Sequence, residues 1–106
     1  MYASIRSYRL ESGDMAEIMH LIDTEFADQL AGSPGFVAYQ SIDCGDNTLC
    51  TISVFQDEAG AERSVEAAGE FVRTHLSDMQ LTRTDVKLGK VDVSRAASEV
   101  LEPAHA

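Results

Sequence analysis

Arg6 and His75 are the residues of this chain whose chemistry suits anion holding and proton transfer, and Tyr8, Tyr39, Thr51, Ser53, Phe55 and Phe71 are the aromatic and hydroxyl side chains suited to hold a ligand beside them. His75 follows Phe71 by about one helical turn, on the border of an apolar stripe. That spacing lets a neutral imidazole point into a pocket as base or ligand. It also describes a half-exposed histidine near a helix C-terminus, where its charge suits the dipole. Arg6 could hold an enolate or carboxylate, or steady negative charge that develops during attack by oxygen. It could also pair with one of the chain's many acids. Tyr8 and Tyr39 suit a phenolic ligand, through stacking and hydrogen bonding, or plain packing. Thr51 and Ser53 could orient a carbonyl, but no base stands beside a serine at a recognisable spacing, so nucleophilic hydrolysis has no support. His20 lies off the apolar stripe of its helix and reads as surface; His105 falls in a loose tail.

The composition narrows the partners. Eighteen acidic against 8 basic residues leave a formal charge of −10, which argues against nucleic acid and against anionic membrane surfaces. No run approaches the ~18 apolar residues of a membrane span. The N-terminal MYASIRSYRL has no basic segment followed by an apolar stretch, so a cytoplasmic protein is expected. Cys44 and Cys50 flank a GDNT turn. With a two-residue loop at Asp46 and Asn47, Cys44 faces Leu49 while Cys50 points to the other side of the sheet, and no bridge is expected. No CxxC pair or His/Cys/Asp cluster has metal spacing, so no structural metal site is expected.

The elements that must position these residues follow from periodicity. Residues 3–10 alternate as a first strand. Asp14 with Glu17 has capping-box spacing, and Met15, Ile18, Met19, Ile22, Phe26 and Leu30 then lay one stripe along a helix. Gly32, Ser33, Pro34 and Gly35 end it. Strands are predicted at 36–43 and 48–56, joined by the tight turn, and Asp57 and Glu58 suit the start of a second helix carrying Ala61, Val65, Ala68, Val72 and Leu76. A last strand is predicted at 84–93. The order β-α-β-β-α-β within residues 1–94 is the ferredoxin-like arrangement, an α+β fold with a four-stranded antiparallel sheet and both helices on one face. Residues 95–106 read as a tail, with a short helix at 95–102.

Strand alternation separates two sets of side chains. Cys50, Ile52 and Val54, with Phe36, Ala38 and Ile42, are expected against the helices. Arg6, Tyr8, Val37, Tyr39, Ser41, Leu49, Thr51, Ser53 and Phe55 are then expected on the helix-free face. That mixed surface predicts either an interface with a second copy or a pocket lining.

The helix ending before PGFVAYQ, the hairpin, and the strand end VFQDEAGAE leading into the second helix resemble the antibiotic biosynthesis monooxygenase-like group of the dimeric α/β barrel superfamily, over about residues 3–94. The resemblance implies a homodimer paired sheet to sheet as a dimeric α/β barrel. It also implies a pocket between sheet and helices that takes a flat aromatic or polyketide-like molecule. Some members oxygenate anthrone-type compounds without metal or cofactor; others degrade haem, isomerise lactones, or have no known activity. In the haem-degrading branch a histidine near the end of the second helix ligates iron, with an asparagine on the first strand and a tryptophan earlier in the helix. His75 matches the first. Ser7 or Tyr8 stands at the second and Val65 or a neighbour at the third, and the chain has no tryptophan. Three outcomes stay open: cofactor-independent oxygenation or isomerisation of an aromatic or enolisable compound with His75 as base and Arg6 steadying the anion, a non-enzymatic ligand-binding or stress-associated dimer, and haem binding through His75.

Overall fold

Two successive residues with positive φ, Asp46 at 52° and Asn47 at 59°, make the tight turn, as a type I′ hairpin loop requires. In the computed structural model, which describes residues 1–97, this turn joins β2 (Phe36–Gly45) to β3 (Thr48–Phe55). With β1 (Tyr2–Ser12) and β4 (Gln80–Lys90) they form one sheet of order β2-β3-β1-β4, every neighbouring pair antiparallel. The topology is the expected ferredoxin-like βαββαβ. One local pairing differs: a bulge lets Asp43 face Leu49, so Cys44 has no partner across the ladder, and both cysteines are free thiols. Strand β4 starts earlier than the alternation suggests, because Leu81 pairs with Leu10 and packs against the core. Residues 91–97 form neither helix nor strand, and the short helix expected at 95–102 lies mostly outside the described residues.

Asp14 caps the first helical segment, α1 (Met15–Leu21), by accepting a hydrogen bond from the Ala16 amide at 3.0 Å. A π-helical turn (Ile22–Ala27) follows, then α2 (Asp28–Ala31). The wide turn has a use. Residues four apart on an α-helix drift around its axis by about 40° per step, and the wider winding takes back part of that drift. Ile18, Ile22, Phe26 and Leu30 therefore all stay buried on one side. Within this stretch the Thr24 hydroxyl donates to the His20 carbonyl at 2.9 Å, a back-bond of the kind that bends helices. Helix α3 (Glu58–His75) is capped by Asp57, which accepts from the Gly60 amide at 2.7 Å. Its buried stripe runs through Gly60, Ala61, Ser64, Ala68 and Phe71.

The two sets of strand side chains are those that alternation predicts, but their sides are exchanged. Tyr8, Leu10, Leu49 and Phe55 form the core with the helices, and Arg6, Thr51 and Ser53 are buried among them. Tyr39 and Ser41 belong to this side too, with Tyr39 against Phe26 and Ser41 against Met19. The helix-free face carries Ile5, Ile52, Val54, Ala38, Cys50 and Ile42. Phe36 is the exception within its set: a bulge at Val37 brings it opposite Phe55, ring edge to face at 5.8 Å. Polarity misleads here because the buried hydroxyls and guanidinium satisfy one another. A side chain that finds hydrogen-bond partners can be buried whatever its polarity.

Small residues let α3 approach the sheet closely. A methyl group on Gly60 would stand 2.8 Å from the Phe55 ring and 3.0 Å from its Cβ. Overpacking of this kind costs about 1–3 kcal/mol, while the better helix propensity of alanine returns about 1 kcal/mol at most. Gly60→Ala is therefore expected to be net destabilising in urea unfolding at unchanged m-value, and a stabilised variant would contradict this packing.

Candidate functional site

The site begins with a cation that has no anion. Arg6 projects from β1 toward the helices and is 0% exposed. One terminal nitrogen donates to Ser4 Oγ and, at 3.4 Å, to Ser64 Oγ; the other donates to Ser53 Oγ at 2.9 Å. Ser64 in turn donates to the Ala61 carbonyl at 2.6 Å and lies 3.0 Å from Ser4 Oγ. Three hydroxyls from β1, β3 and α3 thus fix the guanidinium plane. No carboxylate among the described residues pairs with it. Arginine keeps its charge in proteins, and burying an unpaired charge is costly.

Two polar atoms remain unused. Arg6 Nε and Thr51 Oγ1 are buried without a hydrogen-bond partner, and the two residues sit directly opposite each other across the β1–β3 ladder. Both line an interior void of about 20 Å³, walled by Tyr8, Phe26, Tyr39, Leu49 and Phe71 among others. That volume holds about one water. Burial pushes the Tyr39 hydroxyl up to about 12, with the positive charge of Arg6 opposing the rise. The Tyr39 ring meets Phe26 edge to face at 5.5 Å.

A second, larger space lies outside. A groove of about 320 Å³ runs between the end of the first helical stretch and α3, lined by Phe26, Gln29, Leu30, Ser33, Ala67, Glu70, Phe71, Thr74 and His75. His75 is exposed and lies nearly parallel to the Phe71 ring, centroids 4.8 Å apart and planes 22° apart. Of the residues singled out by type and spacing, Arg6, Tyr8, Tyr39, Thr51 and Phe71 converge on the interior void. His75 belongs to the groove instead. Ser53 holds Arg6 from the side, and Phe55 is buried against Phe36 without lining either space.

Sequence reasoning missed Ser4, Ser64 and Phe26. Ser64 carried a usable signal: it is a polar residue at helical spacing between Ala61 and Ala68, where an apolar stripe would otherwise be continuous. Phe26 was visible only as part of a core stripe. Among the described residues no group of three or more His, Cys, Asp and Glu could hold a metal ion, and no helix is long and apolar enough to cross a membrane.

Several solved structures share this architecture. The cofactor-independent oxygenase SnoaB from Streptomyces nogalater superposes with a TM-score of 0.68 at 21% identity, over 88% of this chain and 94% of its own. A dimeric ferredoxin-like protein from an uncultured marine organism gives a TM-score of 0.67 at 11% identity, over 92% and 100% of the two chains. A proposed antibiotic biosynthesis monooxygenase from Chloroflexus aurantiacus gives 0.65 at 11% identity, over 91% and 96%. No family model matches the chain, and no curated protein matches it. At these identities the likeness is one of fold, and it is the ferredoxin-like fold that the resemblance to antibiotic biosynthesis monooxygenase-like proteins implied.

Proposed function

We propose that this chain binds an aromatic or enolisable small molecule between its sheet and helices and oxygenates it without a cofactor. The observation that carries this reading is Arg6, a fully buried charge with no acidic partner among the described residues and an unused Nε–H beside an aromatic-lined void. Such a group is poised for negative charge that arrives with a ligand or develops on it. The structural likeness to a cofactor-independent oxygenase supports the same reading.

In this mechanism His75 takes a proton from the substrate, and the electron pair left behind delocalises onto an oxygen held by Arg6 and the Thr51 hydroxyl. The carbanion carbon gives its electron pair to dioxygen as a C–O bond forms, and the O–O bond of the resulting peroxide then breaks. For a methylene between aromatic rings, one oxygen atom becomes the new carbonyl and the other leaves as water with the two hydrogens. Tyr39 keeps its proton well above neutrality, so it acts as a donor and not as a base. Tyr8 and Phe71 flank the ring. Ser53 holds Arg6 in position.

A second reading is ligand binding without turnover. It is favoured by one observation: His75 stands exposed in the groove, apart from the void that Arg6 lines.

The helix-free sheet face supports pairing of two copies. Ile5 and Ile42 are 39% and 40% exposed beside Ile52 and Val54, and contiguous apolar surface of this kind marks an interaction site. The shared fold includes a dimeric protein.

Oxygen uptake with anthrone and quinol compounds is the direct test. Wild-type protein is expected to accelerate it, and Arg6→Met to lower the rate by about 10²–10³, the usual loss for an oxyanion donor. Because the replacement removes an unpaired buried charge, the variant is expected to stay folded. Thermal stabilisation by the same compounds without oxygen uptake would favour the binding reading; neither effect would remove both.

Ile52→Lys is expected to sediment as a monomer where the wild type sediments as a dimer. A wild type that sediments as a monomer at micromolar concentration would dismiss the pairing.

Alkaline pH offers a third check. Tyr39 titrates at about 12 in the folded protein against 10.0 for a free phenol, so between these values the unfolded chain loses a proton that the folded one keeps. Its stabilising contribution is whole below pH 10 and is lost as the pH climbs to about 12. Urea unfolding across that window is expected to show a smaller fall for Tyr39→Phe than for wild type, and equal falls would contradict the assignment.

A further inference from the structure

The interior void and the outer groove have two lining residues in common, Phe26 and Phe71. Their rings touch, centroids 5.2 Å apart at 45°. On one side of the pair lie Arg6 Nε and Thr51 Oγ1, buried and without partners. On the other lies a space about sixteen times larger, from the volumes of 320 and 20 Å³. His75 and Arg6, the proposed base and anion holder, are thus separated by this ring pair. A single substrate that reaches both must displace it.

We propose that Phe26 and Phe71 form a movable partition within one composite binding site, whose ligand is a ring-bearing molecule with a single acidic oxygen, its ring in the groove and its oxygen at Arg6 and Thr51. The inference rests on the reading of Arg6 as an anion holder. Three features support the ligand class. The inner end has room for about one oxygen-sized group and offers it two hydrogen-bonding atoms, Arg6 Nε and Thr51 Oγ1. The approach is aromatic, with Tyr39, Phe26 and Phe71 in contact along it. Glu70 lines the groove and repels a second negative charge at the outer end, which selects monoanions.

Phe26 belongs to the π-helical turn, Ile22–Ala27, and single π turns within α-helices are frequent at functional sites. Its ring is held by aromatic contacts to Tyr39 and Phe71, and Phe71 in turn by the exposed His75. Both rings are buried, 5% and 7% exposed. A ligand ring entering the groove can replace these contacts with its own.

The probe is 4-nitrophenol, whose phenolate absorbs visible light, against 4-nitroanisole, which has the same ring without an acidic oxygen. Wild type is expected to bind the phenol at least tenfold more tightly than the anisole, and Arg6→Met to abolish that preference. Phe26→Ala is expected to raise the association rate at least tenfold. A readout without ligand accompanies it: opening the partition lets water reach Tyr39, so its titration falls from about 12 toward 10.0, followed by ultraviolet absorbance. Phe26→Leu serves should the alanine variant fail to fold, with the same directions and smaller size. Failure of the phenol to bind, or equal preference in wild type and Arg6→Met, overturns the anion end and the ligand class. An unmoved Tyr39 titration in a folded Phe26 variant overturns the partition and leaves the anion end intact.

Discussion

The burial of the Arg6 charge under helix α3 is the constraint around which the candidate site is arranged. Its terminal nitrogens are satisfied by Ser4, Ser53 and Ser64, contributed by β1, β3 and α3. The guanidinium is therefore a three-way tie between elements far apart in the chain. The tie requires a helix that comes close to the sheet, and Gly60, Ala61 and Ala68 give α3 the small side chains for that approach. A hydrophobic residue of similar volume would fill the space with less desolvation cost. What the charge adds is an unused Nε–H beside an aromatic void, the feature on which the proposed binding role rests.

The architecture is legible from the chain because each element carries its own periodicity. Alternation marks the strands, the stripe from Met15 to Leu30 marks the first helical layer, and Asp46-Asn47 marks the hairpin. Pairing follows from the turn. What alternation cannot tell is which set of side chains meets the helices, since a two-residue period is symmetric between the faces. Polarity was the only guide, and it points the wrong way: Ile5 and Ile52 lie on the helix-free face, while Arg6, Thr51 and Ser53 are enclosed. The hydrogen bonds that reverse the assignment run from β1 to α3 and β3. Ser64 is the residue that would have revealed them, a lone hydroxyl on an apolar helix stripe.

The candidate site was legible as a set of residue types but not as a place. Arg6, Tyr8, Tyr39, Thr51 and Phe71 do converge, because strand register puts Arg6 opposite Thr51 and Tyr8 opposite Leu49. His75 does not join them, since the last turn of α3 carries it to the rim of the groove. The boundary between the two spaces is made by Phe26, whose position depends on a π-helical turn. A π turn has no clear signature in the pattern of apolar residues, because its effect is to preserve a stripe that an uninterrupted α-helix would slowly rotate away.

One fold supports unrelated chemistries when the residues lining its cavity differ, so the electrostatics of this chain bear on how it would use the site. The formal charge of −10 produces a field that repels anions as they approach. In the proposed mechanism Arg6, by contrast, stabilises an anion that has already arrived, in surroundings where water does not screen it. The two effects are compatible if the ligand enters as its neutral acid, an enol, phenol or activated methylene, and gives up its proton only inside. Exposed His75 at the groove rim is a fitting acceptor for that proton, and Arg6 beyond the partition is a fitting holder for the charge left behind. Separation of the two by Phe26 and Phe71 then has a chemical sense: it keeps the buried cation away from bulk anions and water until a ring of the right shape takes the place of the two phenylalanines.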